Sequence, residues 1–223
     1  MTGHKSQLLS TCISSNILLF GTFTLKSGRQ SPYFFQAGLF STASLVSTLS
    51  SSYAATIASH PVLSSNFDVV FGPAYKGIPL AATTACALNT ISSEKYGNIG
   101  YSFNRKEKKD HGEGGNIVGA DLKGKRVLIV DDVITAGTAI REAVGVIEAA
   151  GGKVVGIVVC LDRQEVLKEV EEGQERVSAV MSVERELKVP VVPILTLEDL
   201  IGSVSGEDKE KMVEYRKRYG VKN

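Results

Sequence analysis

Tryptophan is absent from the 223-residue chain, and it holds only three histidines and three cysteines. Cys12, Cys86 and Cys160 lie far apart with no CxxC pair, and His4, His60 and His111 are too few to complete a zinc spacing. These shortages exclude a disulfide scaffold and a classical structural zinc site. They imply a reducing compartment, with Cys86 and Cys160 as buried core thiols. Long apolar runs are missing too. None approaches the ~20 residues that span a bilayer, and Met1–Leu9 lacks the apolar stretch and cleavage site of a secretory signal. A cytoplasmic protein is expected, with no membrane partner. A formal net charge of +1 supplies no global field for nucleic acid, so any charge that matters must act locally.

What is present is ordinary for a globular chain. Hydrophobic residues make up 43% and charged residues 22%, enough apolar material for one good core. Val127–Val130 (VLIV) reads as a buried strand. Ala139–Ala150 then places Ile140, Val144 and Ile147 at helical spacing, with Gly151 and Gly152 as a stop. Val154–Leu161 is a second continuous apolar run. Strand, helix and strand in roughly 35 residues form a βαβ unit, which points to a mostly parallel sheet covered on both faces. The pattern repeats more faintly upstream, with a strand at Phe67–Phe71, a helix near Leu80–Leu88 and a strand at Tyr101–Asn104. Leu45, Leu49, Tyr53 and Ile57 fall four apart, so the serine-rich stretch Ser41–His60 reads as an amphipathic helix. Pro190 and Pro193 assign Val189–Leu195 to a sheet edge. Glu207–Tyr219 begins acidic and ends basic, as a final helix should. The expectation is one α/β domain over residues 1–223. Its parts are an N-terminal addition to about residue 40, a core at about 41–200 and a C-terminal helix at about 205–220.

The chemistry concentrates at Val127–Thr138, VLIVDDVITAGT. Asp131 and Asp132 stand where the strand should end, the edge at which parallel α/β sheets bind ligands. Thr135, Ala136, Gly137 and Thr138 then open a helix with small residues. Small side chains let a phosphate reach the helix's unpaired N–H groups, and the helix dipole favours its charge. Two carboxylates cannot hold phosphate themselves. They suit ribose hydroxyls and a divalent cation nearby, so the stretch describes a site for ribose 5-phosphate. An acidic turn capped by threonine is the plain alternative. Two other glycine-rich stretches fail as nucleotide motifs. Gly119–Lys125 matches GxxxxGK, but Arg126 occupies the hydroxyl position and a strand follows where a helix is needed. At Gly112–Ile117 the third glycine of GxGxxG is replaced by Ile117.

The turn VLIVDDVITAGTA resembles the signature of the type I phosphoribosyltransferases. With FTLKSGRQSPYFF at Phe23–Phe35, GPAYKGIP at Gly72–Pro79 and RKEKKDHGEGG at Arg105–Gly115, the chain is similar to the orotate phosphoribosyltransferases from about residue 8 to residue 200. That resemblance implies a type I phosphoribosyltransferase fold with a small N-terminal hood. It also implies Mg²⁺-dependent transfer of ribose 5-phosphate from phosphoribosyl pyrophosphate to N1 of orotate, giving orotidine 5'-monophosphate and pyrophosphate in pyrimidine biosynthesis. In animals and plants this domain is commonly fused to the next enzyme of the pathway, and 223 residues suggest a stand-alone form.

The family pattern carries over residue by residue. Asp131, Asp132, Val133, Ile134, Thr135, Ala136, Gly137, Thr138 and Ala139 match the ribose-phosphate segment. Tyr75 and Lys76 match the pyrophosphate loop. Arg105, Lys106, Lys109 and His111 match a mobile lid that closes over the diphosphate of a neighbouring subunit, which implies a homodimer. Lys26, Phe34, Phe35, Thr135 and Arg163 match the orotate contacts. Magnesium is expected mainly on the substrate and on water near Asp131 and Asp132, with no direct protein ligand. Read without the resemblance, Phe34 and Phe35 are core residues, Tyr75 and Lys76 surface residues, and Arg105–His111 a solvated loop. Arg163 is equally suited to pair with Asp162 or Glu165.

The implied reaction builds negative charge on the leaving diphosphate, so electrostatic stabilisation by Lys76 and the lid cations should dominate. Lys109 and His111 are the candidates for assisting departure, alongside Asp131 and Asp132, which orient the ribose. Two other readings are weaker. A regulator that kept only the sugar-phosphate site should lack the lid residues and add a nucleic-acid surface. A purine-specific transferase is opposed by FTLKSGRQSPYFF.

Overall fold

The computed structural model describes residues 3–25, 27–109, 115–167 and 174–221, with the backbone alone at 108, 109 and 115. Helix α1 (Gly3–Ser14) leads into a hairpin of β1 (Leu18–Thr24) and β2 (Gln30–Phe35), which forms its own two-stranded antiparallel sheet. Then follow α2 (Ala43–Ser59), β3 (Val69–Gly72), α3 (Gly77–Ile91), the single turn α4 (Ser93–Tyr96), β4 (Gly100–Lys109) and β5 (Gly115–Gly119). The second half contains β6 (Arg126–Val133), α5 (Thr138–Ala149), β7 (Lys153–Asp162), α6 (Ala179–Leu187), β8 (Val191–Thr196), α7 (Leu197–Gly202) and α8 (Gly206–Tyr219).

Six strands form one sheet in the order β5-β4-β3-β6-β7-β8, parallel throughout except for the antiparallel edge strand β5. Alternation along each strand sends neighbouring residues to opposite faces. Val69, Phe71, Val127, Ile129, Ile157 and Val159 join one buried cluster with Ile140, Val144 and Ile147 of α5 and Val183 of α6. Val70, Leu128, Val130, Val158 and Cys160 join the other, with Leu8, Tyr53, Ile57, Leu88 and Met212 from α1, α2, α3 and α8. A strand buried on both faces must be apolar at every position, which is why these strands appear as unbroken hydrophobic runs. The expected α/β architecture with helices on both faces therefore holds. Among the described residues no helix is long and apolar enough to cross a membrane.

Some boundaries and burials differ from expectation. Phe67 lies before β3, buried and stacked on Tyr96 at 6.2 Å between ring centres. The segment after α2 is held by Leu63, whose Cδ2 occupies the space where a side chain at Gly156 would begin. A larger residue there would force Leu63 to shift. Cys86 is exposed, whereas Cys12 and Cys160 are buried. Ala81, Thr84 and Leu88 form the buried stripe of α3, and Cys86, two residues past Thr84, falls on the opposite face. The largest difference is β4, which continues through the basic stretch to Lys109. Arg105 and Lys106 therefore lie on a strand of a β4–β5 hairpin and not in an irregular loop.

Candidate active site

Strands β3 and β6 are adjacent, but the chain leaves β3 toward β4 and leaves β6 toward β7. Crevices at such reversals, beyond the carboxyl ends of the strands, are where open α/β sheets bind ligands. The loop 73–76 leaves β3 here and the turn 134–137 leaves β6.

Asp131 and Asp132 occupy the last positions but two and but one of β6. The backbone there is fixed from α2, since Tyr53 Oη donates to the Asp131 carbonyl at 2.7 Å. The Asp132 N–H donates to Asp131 Oδ1 at 2.9 Å, and the Val133 N–H donates to Asp132 Oδ1 at 2.8 Å. Asp131 is only 8% exposed. Burial pushes its pKa up to about 6, the neighbouring Asp132 charge adds to the rise, and Lys76 opposes it. Lys76 Nζ lies 2.8 Å from Asp132 Oδ2, which ties the loop after β3 to the acid pair across the crevice. Tyr75 is largely exposed, and Lys106 Nζ stands 5.2 Å over its ring. Asn104 Oδ1 accepts the Ala74 N–H at 3.1 Å, so β4 also braces this loop. A cavity of about 180 Å³ adjoins the pair, lined by Phe40, Leu49, Tyr53, Lys76 and Cys160 among others.

The turn that follows has Ile134 buried in the core as its anchor, with Thr135, Ala136, Thr138 and Ala139 exposed. Gly137 takes a left-handed φ of 79° and occupies the N-cap of α5, with no side chain capping the helix. Thr42, Ser178 and Thr196 do cap α2, α6 and α7. The threonine-capped alternative for this turn is thus not what forms, and the first N–H groups of α5 have no side-chain cap. Arg141 Nη1 donates to the Ala136 carbonyl at 2.9 Å and its Nε to Glu186 at 2.8 Å. That tether engages the carbonyl beside the exposed amides.

The orotate candidates are less tightly grouped. Phe34 and Phe35 are successive residues of β2 and so point to opposite faces. Phe34 is exposed and stacks on Phe23 at 5.6 Å, and Phe35 is half-buried with its ring 6.5 Å from Phe40. The two rings do not build one wall. Arg163 follows β7 and pairs with Glu165, not Asp162. Its guanidinium carbon stands 5.0 Å from the centre of the Tyr33 ring. Burial works against the Arg163 charge, but Tyr33 and Glu165 outweigh it and hold its pKa above the ordinary value. Lys26, His111 and the side chain of Lys109 lie outside the described residues. Tyr53, Asn104 and Arg141 brace this crevice without having been marked by any motif, whereas Tyr33 lies inside the Phe23–Phe35 segment and Glu165 was one of two expected partners of Arg163. Of the first three, only Tyr53 had a visible signal, as a member of the apolar stripe of α2.

Residues 46–191 match the phosphoribosyl transferase domain model. A relative named orotate phosphoribosyltransferase from Stenotrophomonas maltophilia is 50% identical over 228 residues, spanning 100% of this chain and 99% of that one. The chain belongs to the orotate phosphoribosyltransferase family. It is a phosphoribosyltransferase, an enzyme of the glycosyltransferase type. The relative of the same name from Yarrowia lipolytica is 50% identical across the full length of both chains. The crystal structure of the Francisella tularensis orotate phosphoribosyltransferase superposes with a TM-score of 0.80 at 38% identity, covering 95% of this chain and 98% of that one. The family therefore extends beyond the matched domain to the hairpin and α8.

Proposed function

We propose that the chain transfers ribose 5-phosphate from phosphoribosyl pyrophosphate to N1 of orotate, forming orotidine 5'-monophosphate and pyrophosphate in pyrimidine biosynthesis. One observation carries this reading beyond family membership. The acid pair at the end of β6, with Asp131 buried and Asp132 partly so, is followed closely by an α5 N-terminus with no side-chain cap, and Lys76 bridges to Asp132 from the loop after the adjacent strand. Amides of Thr135–Thr138 would take the 5'-phosphate, and Asp131 and Asp132 the ribose hydroxyls. Tyr75, Lys76, Arg105 and Lys106, with Lys109 and His111 of the lid, would take the diphosphate. Lys26, Phe34, Phe35, Thr135 and Arg163 would hold the base.

The donor chemistry fits Mg²⁺ held through the substrate. Two adjacent carboxylates supply hard oxygen donors beside the place proposed for the ribose and diphosphate. When bound, the ion would neutralise charge on the leaving diphosphate. The residues' own part is to orient the ribose ring, draw charge toward Lys76 and the lid, and exclude water. A homodimer in which Arg105, Lys109 and His111 serve the neighbouring site, in the cytoplasm, completes the proposal.

The test is a substrate comparison. With phosphoribosyl pyrophosphate and Mg²⁺ present, orotate, adenine, hypoxanthine and uracil are offered separately and followed by ultraviolet absorbance. Orotate should be consumed. Consumption of a purine with orotate untouched would overturn the assignment.

A further inference from the structure

Arg163 enters a loop whose shape is set by segments far away in the chain. Its Nε donates to Glu165 Oε1 at 2.9 Å, and its Nη2 lies 2.9 Å from the same oxygen. The Tyr33 hydroxyl donates to that oxygen at 3.0 Å, so one carboxylate oxygen gathers both the arginine and the ring beneath it. On the other side, Arg29 Nη1 donates to the Val166 carbonyl at 2.9 Å and lies 3.9 Å from Glu165 Oε2. The loop backbone is fixed as well. Gln164 takes a φ of 50°, its carbonyl accepts from the Val221 N–H at 2.9 Å, and the Val166 N–H donates to the Tyr219 carbonyl at 2.8 Å. Tyr215 of α8 packs edge-on against Tyr33 at 6.2 Å. The Glu165 and Arg163 side chains are 10% and 19% exposed, and Tyr33 is fully buried.

An arginine on its own would sample many rotamers, and a buried one without a carboxylate would carry an uncompensated charge. Here Nε is hydrogen-bonded to Glu165, and buried Nη2 lies 2.9 Å from the same oxygen but makes no hydrogen bond. The guanidinium carbon stands 5.0 Å from the Tyr33 ring centre, so the head is held from one side and keeps donors for a planar ligand. We propose that Glu165 is a positioning residue for Arg163, holding its guanidinium in one orientation toward the base through a network that joins the hood, the β7 loop and the C-terminal helix. This rests on the reading of Arg163 as a base contact.

The experiment is a double-mutant cycle read in steady-state kinetics with orotate and phosphoribosyl pyrophosphate varied separately. Glu165→Gln should raise the orotate KM about tenfold, the scale of one charge-assisted hydrogen bond, and change the KM of phosphoribosyl pyrophosphate less than about twofold. Tyr33→Phe, which keeps the ring, should move the orotate KM the same way by a smaller factor. In an Arg163→Ala background, Glu165→Gln should add almost nothing, because its effect passes through the missing arginine. Additive effects, or equal loss for both substrates, would show a merely structural role and overturn the proposal. If Arg163→Ala raises the orotate KM while Glu165→Gln does not, positioning fails and the base contact stands. If Arg163→Ala leaves the orotate KM unchanged, the base contact itself fails and the proposal with it. Should Glu165→Gln not fold, the Tyr33→Phe cycle with Arg163→Ala takes its place, with additivity again overturning the proposal.

Discussion

At the scale of single residues, Asp131 meets two demands that oppose each other. In the proposed role it must be ionised to accept ribose hydroxyls, yet the fold buries it beside a second carboxylate and raises its pKa to about 6. A folded pKa above the ordinary value of 3.8 means that the folded chain keeps this proton to higher pH than the unfolded chain does. Stability from this group therefore falls as pH rises from about 4 to about 6, and ionised Asp131 remains a standing cost above that window. Asp131→Asn should raise unfolding free energy at pH 7 by on the order of 1–2 kcal/mol, less than the full pKa effect because the amide makes poorer use of the Asp132 N–H. The same variant should lose binding of phosphoribosyl pyrophosphate. Urea unfolding at pH 7 beside substrate titration checks both, and a destabilised variant would count against the burial argument. In the unaltered enzyme, the KM for phosphoribosyl pyrophosphate should climb as pH drops from 7 to 5, because protonation removes the charge and turns one acceptor oxygen into a donor. That climb should vanish in the Asn variant.

At the scale of elements, the β6–α5 turn was legible because its chemistry is local. An apolar strand, an acid pair and a small-residue helix start fit into twelve consecutive residues, and each has its own sequence signature. Gly137 shows how tightly this unit is built. A Cβ there would lie 2.8 Å from Arg141 Nη1 and 3.0 Å from Val183 Cγ2, at a φ of 79° that side chains disfavour. Gly137→Ala should cost about 1–2 kcal/mol in thermal unfolding and raise the KM for phosphoribosyl pyrophosphate, with the orotate KM much less affected. An alanine variant that binds both substrates normally would show that the cradle does not depend on this geometry. Other parts of the site could not be found this way. Tyr33 meets Glu165 across 132 positions, Tyr53 meets Asp131 across 78, and Arg29 meets Val166 across 137. Such partners follow from tertiary packing, which no local pattern encodes. Cys86 was misplaced for a related reason. Thiols are usually buried, but the phase of α3 against the sheet decided otherwise. The reach of β4 was hidden because charged residues are poor strand formers, and pairing with β5 overrides that preference.

At the scale of the whole molecule, the proposed homodimer sets lids that serve a neighbour's site against lids that serve their own. The β4–β5 hairpin stands at the sheet edge, and Lys106 at its base already lies over Tyr75 of its own chain. The residues proposed for the leaving group, Lys109 and His111, follow Lys106 in the sequence, and in the proposed homodimer they serve the neighbouring crevice. Lys109→Ala alone should reduce turnover by orders of magnitude while leaving the unfolding transition in place. Mixing it with Asp131→Asn separates the two geometries. If lids act across a dimer, a mixed pair contains one site with an intact Asp131 facing an intact Lys109. Random exchange makes half the dimers mixed and gives each of them one good site, so activity should return to about a quarter of the unmutated level. If each lid closes on its own chain, every subunit in the mixture still carries one defect, and activity stays at the level of the two mutants apart. Subunit exchange is monitored separately with differently tagged chains, so that a lack of rescue reports on the lid and not on a failure to mix.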